Sequence, residues 1–282
     1  MKRVLSIQDI SCLGRCSTTI ALPVISAMGV ETVILPTALL STHTMFKDFT
    51  YKDLTDQLMP IAQHWKKQNV HFDAIYTGYL GSIEEIQLVE NIIAMFKEED
   101  TLVFIDPVMA DKGKLYSGFQ KSYVVANAEY CSHADVIVPN ITEAALMTGN
   151  VYKETYDETY ILDMLHKLAD FGSDIVAITG VSLEEGKTGV YGYDAKNQTT
   201  FKVQTDLVGV SYHGTGDLFS SAAVGALVQG IPLKNAFQLA ADYTVSTIKA
   251  TLEDQNQAWY GVSFEKTLPE LSALLKKYRM EK

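Results

Sequence analysis

Short apolar runs alternate along the chain with amphipathic stretches, and no other feature of the sequence limits the fold so strongly. Residues 84–97, for example, place apolar side chains such as Ile86 and Val89 at helical spacing. The runs that read as buried strands are residues 3–7, 32–36, 74–77, 102–105, 136–138 and 175–179. Strands that alternate with helices in this way predict an α/β fold with a doubly wound, mostly parallel central sheet.

A different pattern begins after residue 179, where two strand-like runs flank a turn. Residues 189–193 and 199–203 are rich in glycine, aromatic and β-branched residues, which is typical of a β-hairpin. The hairpin is expected to add an antiparallel edge to the sheet. Helices are expected afterwards at residues 217–229 and 233–252, and a final amphipathic helix ends near Tyr278.

The chain is expected to form a single domain over residues 1–282. It is long enough to bury a sizeable core, and no internal repeat or Pro/Gly-rich linker interrupts it. Residues 39–51 lack clean periodicity and mix polar with aromatic side chains. A long irregular stretch in a compact domain is often functional, so this segment is expected to be a substrate loop or a small lid.

The charge balance limits the partners of this protein. Lys and Arg total 23 and Asp and Glu total 34, which gives a net charge of −11. No basic stripe is present of the kind that nucleic-acid binders carry, so we expect small-molecule partners and no nucleic acid. A bound polyanion would need local neutralisation by a metal ion, backbone amides and a few side chains, because the overall field repels it.

Cysteine usage and the N-terminus indicate a reducing compartment. Cys12, Cys16 and Cys131 are odd in number and form no CxxC pair, so neither a disulfide framework nor a zinc site is indicated. The N-terminus passes directly into a strand-like run, and no apolar stretch reaches the roughly 20 residues of a membrane span. A cytoplasmic protein without membrane segments is expected.

The glycine-rich turn GTGD at residues 214–217 leads directly into a helix of small residues. Its backbone N–H groups and the positive end of the helix dipole are expected to bind an anion such as phosphate. Asp217, in the first turn of this helix, has two interpretations. It is either a charge-complementary helix residue or a general base that faces the anion, and its local spacing does not choose between them.

Polar clusters follow two successive strands. Asp106 and Asp111 lie where a buried strand ends, and the carboxyl ends of parallel strands face the ligand crevice. A Mg²⁺–phosphate site uses one or two such carboxylates, although Asp106 before Pro107 also fits an Asx-type turn. Asn140 and Glu143 follow the next strand, where a capping box at a helix start explains them equally well.

Two other nucleotide-binding motifs are absent. Gly186-Lys187-Thr188 resembles the end of a P-loop, but Val181 occupies the position of the required glycine. Gly14 stands alone in the first strand–helix turn, so the dinucleotide-binding fingerprint is missing as well. The phosphate site is therefore expected at the GTGD turn.

Three motifs occur together in a fixed order: DPVM at 106–109, PNxxE at 139–143 and GTGD at 214–217. This combination resembles the ribokinase superfamily. Further segments, SIQ at 6–8, STHT at 41–44 and GYLGS at 78–82, are similar to its pyridoxal kinase branch. The resemblance implies a ribokinase-like three-layer α/β/α sandwich. It also implies ATP-dependent phosphorylation of the 5′-hydroxymethyl group of a vitamin B6 vitamer: pyridoxal, pyridoxine or pyridoxamine.

The resemblance also assigns catalytic and metal-binding roles. Asp217 is expected to take the proton from the substrate's hydroxymethyl group, while the amides of Gly214, Thr215 and Gly216 stabilise the transferring phosphoryl group. The residues implied for a Mg²⁺ site are Asp106, Asp111 and Glu143. Those implied for the nucleotide are Asp106, Tyr116, Asn140, Thr179, Val208 and Thr215. A monovalent cation such as K⁺ is a further possibility near Thr179.

On the substrate side, Thr44 and Tyr79 match positions around the pyridine ring, where an aromatic face can pack on the heterocycle. Asp9 departs from the family, which commonly has serine after the opening glutamine. Its carboxylate could accept a hydrogen bond from the ring hydroxyl or from a protonated pyridine nitrogen. Vitamer preference is therefore left open.

Two other functions are considered. The sequence His213-Gly214-Thr215-Gly216 also resembles hydroxymethylpyrimidine kinases of thiamin synthesis, which have cysteine where this chain has Asp217. An enzyme that accepts both substrates is part of this alternative. A non-catalytic ligand-binding protein with a kinase fold is a second alternative, which the intact Asp217, Asp106 and Glu143 disfavour. The family resemblance also implies a homodimer.

Overall fold

The computed structural model describes residues 1–280. Within this range, nine strands form one sheet. Six of them run parallel: β1 (Arg3–Leu13), β2 (Glu31–Thr42), β4 (Ala74–Thr77), β5 (Leu102–Ile105), β8 (Val136–Ile137) and β9 (Ile175–Val181). Three more join the sheet through antiparallel pairing: β3 (Tyr51–Asp53) at one edge, and the hairpin of β10 (Lys187–Asp194) and β11 (Thr199–Asp206) at the other. The strand order is β11-β10-β9-β8-β5-β4-β1-β2-β3. The expected parallel sheet with an antiparallel edge hairpin is confirmed.

Helices cover both faces of the sheet. One face carries α1 (Thr18–Ala27), α7 (Thr215–Val228), α8 (Leu233–Leu252) and α9 (Leu268–Met280). The other carries α2 (Thr55–Lys67), α3 (Ile83–Phe96), α4 (Lys121–Cys131), α5 (Ile141–Thr148) and α6 (Glu158–Ala169). A strand sends alternate side chains to opposite faces. Accordingly, Val4 and Tyr76 pack in one core and Leu5 and Ile75 in the other, which confirms the three-layer α/β/α sandwich.

The segment 39–51 is more regular than its sequence indicated. Residues 39–42 continue β2, and Tyr51 begins β3. Leu39 pairs with Ile10 on one side and with Lys52 on the other, so extended structure is fixed by two neighbouring strands despite the exposed Leu39 side chain. The prediction of a loop over 39–51 was therefore wrong in extent, and only residues 43–50 lie outside regular structure.

The bounds of some other strands and helices also differ from the predicted ones. β1 runs to Leu13 rather than to residue 7, and α7 begins at Thr215 rather than at Asp217. A small hairpin of β6 (Ala110–Asp111) and β7 (Lys114–Leu115) follows β5. In the described part of the chain no helix is long and apolar enough to cross a membrane. The single domain over residues 1–282 stays a prediction.

Candidate active site

The turn before α7 requires glycine at position 214. Gly214 has φ 83°, in the left-handed region, and a β-carbon there would collide with the carbonyl oxygen of Arg15. The Thr215 hydroxyl donates to the Tyr212 carbonyl oxygen at 3.1 Å, which fixes the entry into the helix. Since the first amides of a helix have no partner within it, the amides of residues 214–217 are available to an anion at this end of α7.

Asp217 lies half-buried in the first turn of α7. Burial raises the pKa of its carboxyl to about 7, and the charges of Asp106 and Asp9 add to the increase. The Ser17 amide acts on this carboxyl as a hydrogen-bond donor and opposes the shift. A carboxylate with a pKa near neutrality suits general-base catalysis, so its surroundings favour the base interpretation over simple charge complementarity.

Asp106 is tied to the same helix. It is buried at the end of β5, and the Ser220 hydroxyl donates to its Oδ2 at 2.7 Å. Burial raises the pKa of Asp106 to about 7, and the Ser220 hydrogen bond opposes the increase. Ser220 lies three residues after Asp217, on the same side of α7. One helix therefore positions both carboxylates at the carboxyl edge of the sheet.

Glu143 and Asn140 form the capping box that the sequence predicted. The Asn140 side chain accepts from the Glu143 amide at 3.0 Å, and Glu143 accepts from the Asn140 amide at 2.8 Å. Glu143 also accepts from the amides of Met109 and Ala110, at 3.0 and 3.4 Å. The box therefore joins the β8–α5 turn to the loop after Asp106.

Glu143 is also a buried acid beside another buried acid. Burial, and then the charge of Asp106, raises the pKa of Glu143 well above its ordinary value. Asp111 is exposed and accepts from the Lys112 amide at 2.8 Å. Within residues 1–280, no three acidic, histidine or cysteine side chains are grouped so that they could hold a metal ion by themselves. Asp106 and Glu143 are therefore the main candidates to contact a cation from the protein side.

The residues expected around the nucleotide lie in three places. Thr179 donates from its amide to the Pro139 carbonyl oxygen at 2.9 Å and bridges to Asn140, so it adjoins the capping box. Tyr116 follows β7, and burial, together with the charges of Glu143 and nearby acids, raises the pKa of its hydroxyl. Val208 is half-buried just after β11.

The residues expected around the substrate lie within β1 and just after β2 and β4. Asp9 is buried where the pairing of β1 with β2 shifts in register, and the Ser11 hydroxyl donates to its Oδ2 at 3.2 Å. Tyr79 follows β4, and burial, with the charges of Asp9 and Glu85, raises its pKa to about 12. Thr44 is exposed in the turn after β2. Asp9 and Tyr79 thus share one environment.

Comparison with known proteins identifies the family of this chain. The profile of the family described as phosphomethylpyrimidine kinase matches residues 21–260, which contain all three motifs DPVM, PNxxE and GTGD. The chain belongs to the phosphomethylpyrimidine kinase family.

Solved and curated relatives of the family cover nearly the whole chain. A Bacteroides thetaiotaomicron protein, provisionally assigned as a phosphomethylpyrimidine kinase and crystallised with pyridoxal, is 38% identical, with a TM-score of 0.91 and 96% of each chain covered. Pyridoxal kinase from Lactobacillus plantarum is 31% identical, with a TM-score of 0.89 and 99% of each chain covered. Pyridoxal kinase from Sus scrofa is 28% identical over 89% of this chain and 81% of its own length. The resemblance to the pyridoxal kinase branch of the ribokinase superfamily is confirmed.

An aromatic cluster beside the GTGD turn was not predicted from the sequence. His43 and His213 lie with ring centroids 4.4 Å apart, and Phe46 packs on Trp259 at 4.4 Å. The His43 imidazole also bonds to the Tyr260 carbonyl oxygen at 3.0 Å. Burial, with the nearby His43, lowers the pKa of His213 to about 4. His213 adjoins the predicted anion site, but no sequence signal connected it to Trp259 or Tyr260.

Glu85 is a second residue that sequence reasoning missed. It lies in the first turn of α3, where acids are common, yet it is 2% exposed. It accepts from the Gly81 amide at 2.7 Å and from the Thr55 hydroxyl at 3.3 Å. Glu85 therefore fixes the loop that carries Tyr79.

Proposed function

We propose that this chain transfers the γ-phosphoryl group of ATP to the 5′-hydroxymethyl group of a vitamin B6 vitamer. The observation that carries the proposal is the position of Asp217 in the first turn of α7, next to the free amides of that turn, with a pKa raised to about 7 by burial. This arrangement supports a base beside an anion site. The crystallisation of the 38% identical Bacteroides relative with pyridoxal supports the choice of substrate.

Catalysis on this proposal consists of positioning and charge stabilisation. The Asp217 carboxylate accepts the proton of the substrate hydroxyl as that oxygen attacks the γ-phosphorus. The amides of Gly214, Thr215 and Gly216 then donate hydrogen bonds to the phosphoryl oxygens, where negative charge is concentrated during transfer. Protonated Asp217 is well tolerated, because its buried surroundings favour the neutral carboxyl.

A divalent cation fits the pair of buried acids. Asp106 lies close enough for its charge to raise the pKa of Glu143, and neither acid is in an ion pair with a basic residue among residues 1–280. A bound Mg²⁺ would neutralise charge on the phosphates and take most of its ligands from phosphate oxygens and water. Asp106 would face it most directly, with Asp111 and Glu143 supporting the site. A K⁺ ion near Thr179 belongs to the same proposal.

The nucleotide and the vitamer are assigned to opposite sides of Asp217. Tyr116, Asn140 and Thr179 lie toward the nucleotide phosphates, and Val208 toward the adenine. Tyr79 would pack on the pyridine ring and Asp9 would hydrogen-bond its polar substituents, with Thr44 at the rim. Support comes from the parallel pairing of β1 with β4, whose last partners, Ile7 and Thr77, lie two residues before Asp9 and Tyr79 respectively.

Hydroxymethylpyrimidine phosphorylation is a second candidate function. The matching family profile carries the description phosphomethylpyrimidine kinase, and His213 precedes the GTG turn as it does in the hydroxymethylpyrimidine kinases. Both substrates present a hydroxymethyl group on a six-membered heteroaromatic ring. The same base and anion site would therefore serve either one.

A substrate panel tests these proposals. Purified protein with Mg²⁺-ATP is given pyridoxal, pyridoxine, pyridoxamine or hydroxymethylpyrimidine, and the phosphorylated product is measured. We expect phosphorylation of at least one B6 vitamer, and turnover of the pyrimidine alone would overturn the leading proposal. Asp217→Asn should lower kcat by orders of magnitude while ATP still binds. Normal turnover by this variant would remove Asp217 from the mechanism.

Location and assembly are also proposals. Three unpaired thiols are compatible with the cytoplasm, where disulfides are rare. The homodimer follows from the family resemblance alone, and analytical ultracentrifugation at working concentration tests it directly.

A further inference from the structure

The loop between β1 and α1, residues 14–17, contacts the catalytic turn, residues 213–217, which contains Asp217. The carbonyl oxygen of Arg15 lies against the α-carbon of Gly214, so closely that no β-carbon fits between them. Ser17, two residues later, lies near enough to Asp217 for its amide to oppose the rise in the pKa of that carboxyl. One short loop thus packs against the start of the turn and lies beside the base at its end.

This loop has an unusual conformation. Ser17 has φ 47°, in a region that side-chain-bearing residues seldom occupy. Such backbone persists only where the surroundings over-determine it. Thr19 supplies part of the restraint, since its hydroxyl donates to the Gly14 and Cys16 carbonyl oxygens at 3.1 and 2.7 Å.

The rest of the restraint comes from the Arg15 side chain. Its guanidinium donates to Glu265 at 3.1 Å, to the Ser263 hydroxyl at 3.2 Å and to the Gly261 carbonyl oxygen at 3.4 Å. It also lies over the Tyr260 ring, 5.7 Å from its centroid. One side chain therefore contacts four residues of the segment 260–265, nearly 250 positions away in sequence.

The segment 260–265 also lies directly against the catalytic turn. A β-carbon at Gly261 would lie 2.6 Å from the Arg15 β-carbon and 3.4 Å from the His213 carbonyl oxygen. Segment 260–265, the loop 14–17 and the turn 213–217 are thus packed directly against one another, and Arg15 is the side chain that joins the first two.

We propose that Arg15 is a positioning residue for Asp217. Its guanidinium fixes the loop 14–17 to the segment 260–265, so that the backbone of the loop supports Gly214 and presents the Ser17 amide to the Asp217 carboxylate. Arg15 touches neither the substrate nor ATP on this proposal, and it acts through the backbone. The role rests on the proposed kinase function, because it concerns the base of that reaction.

The test is the pH dependence of Arg15→Ala with the best vitamer and Mg²⁺-ATP. Moving the Ser17 amide away from the Asp217 carboxylate should shift the acidic limb of the kcat/KM profile up by about one pH unit and lower the rate at pH 7 roughly fivefold. Arg15→Lys keeps a positive charge near Glu265 but cannot donate to several acceptors at once in the geometry of a guanidinium. The position of its acidic limb and its rate at pH 7 should therefore lie between those of Arg15→Ala and those of the unaltered protein.

A matched control separates positioning from general loss of stability. Lys196→Ala removes an ion pair with Asp174 near the other end of the sheet. It should leave the acidic limb of the kcat/KM profile at the same pH as in the unaltered protein. If Arg15→Ala lowers only the melting temperature, with the limb unmoved and kcat/KM within about twofold, the proposal is overturned. Should Arg15→Ala fail to fold, Glu265→Gln and Ser263→Ala are measured in the same way. An unmoved limb in both variants also overturns it.

A second readout does not depend on turnover. The Asp217 carboxyl is titrated by ¹³C NMR in aspartate-labelled protein, and its signal is assigned by its loss in Asp217→Asn. Arg15→Ala should raise the observed pKa, and an unchanged pKa counts against the proposal. If the unaltered protein phosphorylates no vitamer, the proposed function fails, while this titration still decides the role of Arg15.

Discussion

The Ser220 hydroxyl donates a 2.7 Å hydrogen bond to Oδ2 of Asp106, which links the end of β5 to the helix that carries Asp217. Both groups are buried, at 1% and 7% exposure. A hydrogen bond to a buried carboxylate stabilises its ionised form. This one contact therefore couples the geometry of the base to the charge of the acid expected near the metal ion.

Ser220→Ala should weaken both stability and catalysis. Loss of a hydrogen bond to a charged group costs about 1.5–3 kcal/mol, and the pKa of Asp106 should rise further because Ser220 now opposes that increase. Urea denaturation and kcat/KM for Mg²⁺-ATP measure the two effects. Ser221→Ala is the matched control, since this neighbour is equally buried and its hydroxyl has no hydrogen-bond partner within residues 1–280. Equal losses of stability and of kcat/KM in the two variants would contradict the role given to the hydrogen bond between Ser220 and Asp106.

The rate should depend on pH through Asp217. Burial raises its pKa to about 7, and a general base must be ionised to act, so activity should fall as pH decreases through about 7 and level off above it. Below the midpoint, kcat/KM should drop roughly tenfold per pH unit. Initial rates across a buffered series at constant ionic strength give the curve, and a flat profile between about pH 5.5 and 8.5 would be incompatible with this base.

The proximity of the polar residues that follow the parallel strands was predictable from the sequence, because it follows from the topology of the sheet. Asp106 and Asn140 each follow a parallel strand, and the carboxyl ends of such strands meet at one edge. The GTGD turn predicted an anion site from its local geometry alone. Asp217 and Glu143 could be interpreted either as helix-terminus residues or as functional residues, and only their spatial neighbours distinguish the two.

What the sequence could not predict depends on contacts between distant segments. Arg15 and Glu265 are 250 positions apart, and neither lies in a recognisable motif. Glu85 reads as an ordinary first-turn acid until Thr55 and Gly81 are seen to bury it. Likewise, the extended structure of Leu39 comes from its pairing partners rather than from its own hydrophobic pattern.

Gly214 should tolerate no side chain. Alanine at a φ of 83° is strained in itself, by about 1–2 kcal/mol, and its β-carbon would also collide with the Arg15 carbonyl oxygen. Gly149→Ala separates the two costs, because Gly149 has φ 71° but nothing within 4 Å of a β-carbon. Thermal melts should show a larger loss for Gly214→Ala, accompanied by a large decrease in kcat. Similar melting temperatures for both variants would contradict the close approach.

Glu85 should make the stability of the protein depend on pH. Burial raises the pKa of its carboxyl to about 7 from an ordinary 4.5; the charge of Asp53 adds to the increase, and the Gly81 amide opposes it. The folded protein therefore binds this proton more tightly than the unfolded chain does. The resulting stabilisation is complete below about 4.5 and is lost as the pH rises through about 7.

Glu85→Gln fixes the side chain in a neutral form of similar shape. The free energy of unfolding of the variant minus that of the unaltered protein should therefore increase between about pH 4.5 and 7.5, by up to about 3 kcal/mol. Because both proteins contain Asp106, Asp217 and Glu143, the contributions of these acids to the pH dependence of the free energy of unfolding cancel in the difference. Urea titrations at each pH measure it, with Glu84→Gln, at the exposed neighbouring position, as the control. A difference that does not change with pH would mean that folding does not raise the pKa of Glu85, and the loop that carries Tyr79 would then be held at neutral pH by a charged rather than a neutral carboxyl.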